Sequence, residues 1–132
     1  MESLLNISSL SVQYGKGEEQ VHAVQSVDFT IAHGEIFGLV GESGSGKSTI
    51  GKSIVGLVTP EKGSVITYEG RDLTRLNRAE KREVCKEIQM VFQDPYGSLN
   101  PRMKVGEALL DVMHVHKIKN DREERLDYAR EL

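Results

Sequence analysis

The strongest chemistry in this 132-residue sequence lies in eight consecutive residues, Gly41-Glu42-Ser43-Gly44-Ser45-Gly46-Lys47-Ser48. They match G-x-x-x-x-G-K-[ST] at every fixed position. Phosphate chemistry needs these residue types. Glycines let the backbone take positive φ and turn successive N–H groups inward around an anion. A helix opening after the loop adds the positive end of its dipole. Lys47 offers a point charge to β- and γ-phosphates, and Ser48 offers a hydroxyl to Mg²⁺. With Thr49 on the same turn, the candidate nucleotide contacts run from Gly41 through Thr49. The plain alternative is a glycine-rich turn with an exposed lysine. The motif points to a nucleotide without saying which enzyme uses it, because kinases, GTPases and transport ATPases share it.

Several elements must position this loop. Ile36–Val40 is a short continuous apolar run, as in a parallel strand covered on both faces. After the loop, Ile50, Ile54, Leu57 and Val58 recur at helical spacing, and Thr59-Pro60 is read as the stop. Before it, Leu4–Val12 reads as a strand and Tyr14–Glu19 as a turn. Val21–Ile31 is a half-buried strand, with Val21, Ala23, Val27, Phe29 and Ile31 on one side. His33-Gly34 turns the chain. Gly63–Tyr68 alternates again and ends at a Glu69-Gly70 turn. Asn77–Glu87 is a charged helix, with Asn77 as cap and Glu80 reaching back. Ile88–Phe92 is a second continuous apolar run, followed by a loop over Asp94–Pro101. Val105, Ala108, Leu109, Val112 and Met113 mark one helical face, and 121–132 reads as a last helix. The pattern is α/β with a β-rich N-terminal addition.

The wider sequence resembles the ATP-binding cassette (ABC) family. Three features carry the resemblance: the lead-in Gly34-Glu-Ile-Phe-Gly-Leu-Val40, an aromatic residue, Tyr14, 27 residues before the loop, and the segment Ile88-Gln-Met-Val-Phe-Gln93-Asp-Pro-Tyr-Gly-Ser-Leu-Asn-Pro-Arg102. The last looks like a Q-loop, and its text QDPYGSLNPRM is similar to that of oligopeptide and dipeptide importers. The resemblance implies a P-loop NTPase fold of cassette type with an N-terminal antiparallel β subdomain. Residues 1–132 would be the N-terminal part of one ATP-binding domain, with the Q-loop at about 93–102. It implies ATP and Mg²⁺ as cofactors, adenine stacking on Tyr14, and Gln93 as a catalytic residue that reaches Mg²⁺ or the attacking water. It also implies a head-to-tail partner cassette, permease subunits facing Tyr96–Arg102, and a place at the cytoplasmic face of the membrane. Such cassettes carry a Ser-Gly-Gly-rich signature and an apolar strand ending in Asp-Glu. Neither occurs in these 132 residues. The chain is therefore expected to be truncated, to bind Mg-ATP and not to turn it over, with Ile36–Val40 lacking its core neighbours.

Composition excludes other classes. Hydrophobic residues make up 38% and charged residues 28%, with a formal charge of −3. A mildly acidic chain has no global attraction for nucleic acid, and none is expected as a partner. No apolar run nears the roughly 18 residues that span a bilayer. The N-terminus lacks the basic segment of a secretory signal. Cys85 is the sole cysteine, and His114 and His116 do not share a helix face. No guanine-type N-K-x-D accompanies the loop. The remaining alternatives are a cassette used outside transport and a degenerate fragment that binds nothing.

Overall fold

The computed structural model describes residues 3–15 and 17–132. The chain divides into two compact units, residues 1–90 and 91–132. The first is a four-stranded sheet in the order β2-β1-β3-β4, formed by β1 (Ser3–Tyr14), β2 (Val21–Ala32), β3 (Val65–Tyr68) and β4 (Arg71–Asp72), with antiparallel pairing throughout. Two helices belong to this unit, α1 (Lys47–Ile54) and α2 (Arg78–Glu87).

The core is Leu5, Ile7, Leu10 and Val12 of β1 with Val24, Ile50 and Ile66. The inward residues of β1 change parity between Ile7 and Leu10. Strand alternation alone would send Leu10 to the opposite face. The pairing steps from Ile7↔Phe29 to Leu10↔Val27, which inserts one extra residue in β1. Ser9 takes φ 52° there, and its N–H is satisfied by Asp28 Oδ1 at 2.8 Å. A matching bulge lies in β2, where Val24 pairs with Val12 and Val27 with Leu10. Ser26 (φ 47°) donates its N–H to Ser11 Oγ at 3.0 Å. The bulges therefore cost no unpaired N–H at either serine and keep both strands facing the core. In β2 it is Val24 that is buried, while Val21 is exposed, which corrects the inward set read from alternation.

Helix α1 ends earlier than its apolar spacing predicts. Gly56 takes φ 75°, and its N–H donates to Ser53 O while Leu57 N–H donates to Lys52 O. That is a Schellman cap, which stops the helix before Thr59-Pro60. Helix α2 carries the full capping box: Asn77 Oδ1 accepts from Ala79 and Glu80 N–H, and Glu80 accepts from Asn77 N–H.

Neither apolar run expected to be a strand, Ile36–Val40 or Ile88–Phe92, is one. A strand buried on both faces needs partners on both edges, and among the described residues the sheet offers none to either run. Ile36 and Val40 are 100% and 98% exposed, and Val91 is 96% exposed. A ring contact tethers the first run: Phe37 stacks on Phe29 with centroids 4.9 Å apart.

The second unit holds α3 (Pro95–Ser98), α4 (Val105–Val115) and α5 (Arg122–Glu131). The short α3 replaces part of the expected loop. On α4 the buried residues are Leu110 and Met113, while Val105, Leu109 and Val112 are exposed, so most of the expected apolar face is not the packed one. Arg125 staples the turn between α4 and α5, donating to the carbonyls of Ile118, Lys119 and Asn120. No helix among the described residues is long and apolar enough to cross a membrane.

Candidate phosphate-binding site

The loop Gly41–Gly46 runs from the unpaired segment Ile36–Val40 into α1, whose first residue is Lys47. Its anchor is Gly46, the N-cap, at φ 90°. A Cβ at this position would lie 2.4 Å from the Ala23 carbonyl oxygen and 3.1 Å from Val24 Cγ2. Only glycine combines that backbone angle with that clearance. Ala23 sits where β2 slips once more, because Val12 pairs with Val24 and Gln13 with His22, leaving Ala23 without an opposite residue. The seat for the loop is thus a second irregularity of β2. Sequence reading missed Ala23 and Val24 as supports, and their only signal was apolar alternation that a bulge scrambles.

The N-terminus of α1 has no side-chain cap. A helix start leaves its first N–H groups without intrahelical partners, and here the cap residue is a glycine with nothing to offer them. Those donors and the helix dipole suit an anion. The Ile50 N–H is the first to close the helix, donating to Gly46 O at 2.9 Å.

Lys47 curls back over the loop. Its Nζ donates to Gly41 O at 2.7 Å, to Glu42 O at 2.6 Å and to Ser45 Oγ at 3.0 Å. Ser45 N–H in turn donates to Glu42 O. Glu42, Ser43, Gly44 and Ser45 form the exposed rim, and Ser48 is exposed on the first turn of α1. Thr49 is half-buried and its carbonyl accepts from Ser53 Oγ at 2.8 Å. Among the described residues no three His, Cys, Asp or Glu side chains cluster to hold a metal. A hydroxyl beside phosphate donors still fits Mg²⁺, which keeps several waters and is commonly held by substrate phosphates and few protein ligands.

Tyr14 ends β1, opposite Val21 and two residues beyond Val12, whose partner Val24 touches the Gly46 position. The hairpin therefore carries the aromatic residue and the loop's seat at the same end. Tyr14 is 42% exposed, so part of its ring is open to contact. Gln93 belongs to the second unit, exposed at a bend just before α3. In the same segment Asn100 starts a turn: its carbonyl accepts from Met103 N–H and its side chain from Arg102 N–H, with Pro101 between. The side chain of Tyr96 lies outside what the structure describes. A separate cavity of about 240 Å³ lies between the end of α1 and α2, lined by Ile54, Val58, Leu73 and Val84 among others, and no loop residue borders it.

The family described as ABC transporter matches residues 24–131. A putative oligopeptide transport ATP-binding protein, YkfD, of Bacillus subtilis (strain 168) is 46% identical over 98% of this chain and 39% of its own length. The oligopeptide transport ATP-binding protein OppF of Streptococcus mutans is 42% identical over 94% of this chain and 40% of its own length. The chain thus spans about two fifths of the length of the curated relatives it matches. Among solved structures, the ATP-binding cassette MJ0796, in a dimeric post-hydrolysis state bound to ADP and Pi, is similar with a TM-score of 0.75 and 25% identity. That match covers 96% of this chain and 54% of the other.

Proposed function

The chain belongs to the ABC transporter family, and from that membership we propose that it is the nucleotide-binding portion of the ATP-binding subunit of an importer of peptides or similar small solutes. The observation that carries the nucleotide part is the uncapped start of α1, held in place by Gly46 on Ala23 and Val24 with Lys47 folded over the loop. The importer part rests on relatives whose names specify oligopeptide transport.

In this reading Gly41–Thr49 receive the phosphates of ATP through backbone N–H groups and the Lys47 ammonium. Ser48 would hold Mg²⁺, with Gln93 as a further ligand or a guide for the attacking water. Mg²⁺ when bound neutralises charge on the phosphates. Tyr14 offers its ring to adenine. The segment Tyr96–Arg102 faces permease subunits on the cytoplasmic side of the membrane, and a second cassette pairs head to tail with this one. Turnover in this reading needs an apolar strand ending in Asp-Glu and a signature segment, and neither occurs in these 132 residues.

Titration with a fluorescent ATP analogue tests the reading. A charge-assisted contact is worth about 1.5–3 kcal/mol, so Lys47→Ala is expected to weaken binding at least tenfold. Equal affinity of mutant and parent would remove the phosphate-loop argument. The unpaired state of Ile36–Val40 favours one rival, a fragment that binds nothing alone, and the parent's titration decides between the two.

A further inference from the structure

An ammonium group has three N–H donors, and in Lys47 all three meet acceptors of the loop itself. A phosphate oxygen that reaches Lys47 must take a donor from one of them. The three acceptors are not equally easy to displace. The carbonyls of Gly41 and Glu42, at 2.7 and 2.6 Å, are the shorter contacts and are fixed by the backbone. Ser45 Oγ, at 3.0 Å, is the longest and turns about a single bond. Its backbone stays tied through the Ser45 N–H to Glu42 O bond wherever the hydroxyl points. Gly41 leaves room for the hydroxyl in this place, since a Cβ there would lie 2.7 Å from it.

We propose that Ser45 is a positioning residue that competes with phosphate for Lys47. Its hydroxyl parks the ammonium over the loop, and nucleotide binding exchanges that contact for a phosphate oxygen. The inference rests on reading the loop as a nucleotide site. It assigns Ser45 a role opposite to that of its neighbours: the hydroxyl lowers affinity and sets the threshold at which ligand captures the lysine. A single exposed hydrogen bond sets the scale, about two- to tenfold in affinity.

The test is a double-mutant cycle on the whole chain, with a fluorescent ATP analogue and Mg²⁺ as probe. Ser45→Ala is expected to tighten binding about two- to tenfold. In a Lys47→Ala background the same change is expected to do nothing, since no ammonium remains to be parked. Weaker binding in Ser45→Ala, or equal tightening with and without Lys47, overturns the proposal. A second readout needs no nucleotide: in the ¹⁵N-lysine-labelled chain, proton exchange at Lys47 Nζ is expected to speed up in Ser45→Ala, and an unchanged rate overturns the contact. A parent chain that binds no nucleotide overturns the reading of the site and this competition with it. A parent that binds but is not tightened by Ser45→Ala overturns this inference alone.

Discussion

At Gly46 a methyl group would have to be carried at φ 90° and would meet a backbone oxygen that cannot rotate away. The left-handed conformation alone costs an alanine about 1–2 kcal/mol, and relieving a 2.4 Å contact must move either the loop or β2. Gly46→Ala is therefore expected to lower the denaturation midpoint of the chain and to abolish measurable ATP binding. Parental affinity in that variant would show that the Ala23 seat does not set the loop. Tyr14 tests the other end of the ligand. Stacking on a base is worth about 1–3 kcal/mol and depends on the ring face. Tyr14→Ala is expected to weaken ATP binding, while Tyr14→Phe and Tyr14→Trp keep it. A Phe variant as weak as Ala would make the hydroxyl the active group.

Among the elements, α2 depends most visibly on local chemistry. Val84 is its one buried residue, so tertiary packing does little to hold it, and the Asn77–Glu80 box satisfies its first turn instead. Asn77→Ala is expected to cost about 1 kcal/mol, read as a lower thermal midpoint by circular dichroism, with Asn77→Asp close to the parent. An unchanged midpoint in the Ala variant would mean that α2 is held elsewhere. This helix was fully legible in the sequence because cap, charge and period all lie within eleven residues. The glycine-rich loop that opens α1 was legible for the same reason, its signals being local. The hairpin was legible as two strands but not in its facing. The bulges of β1 and β2 depend on cross-strand partners such as Asp28 for Ser9 and Ser11 for Ser26, and no local pattern announces them. The runs Ile36–Val40 and Ile88–Phe92 failed differently. Their composition suits a buried strand, and composition cannot state whether the partner strands are present. The exposed face of α4 was misread because helical period locates a stripe but does not say which neighbour covers it.

On the scale of the whole molecule, the chain joins a packed sheet unit, which seats the candidate site, to apolar segments left in water. The groups that act on phosphates work together, so lacking several of them costs far more than a sum of small factors. The purified chain is expected to show no sustained phosphate release from Mg-ATP, with Lys47→Ala as the control for contamination. Multiple turnovers that vanish in that control would show that a complete hydrolytic site exists within these residues. The bulged position of Ala23 also bears on how the chain is made. The seat belongs to a hairpin that ends at Ala32, and the glycine that uses it comes 14 residues later. At a synthesis rate of roughly 5–20 residues per second, that gap lasts about 1–3 s, whereas a hairpin forms in about 1–10 μs. An isolated hairpin is only marginally stable, and β3, which pairs with β1, is translated after the loop. The nascent chain thus meets its own landmarks in a set order: a flickering seat first, then the loop that docks on it, then the strand that makes both permanent.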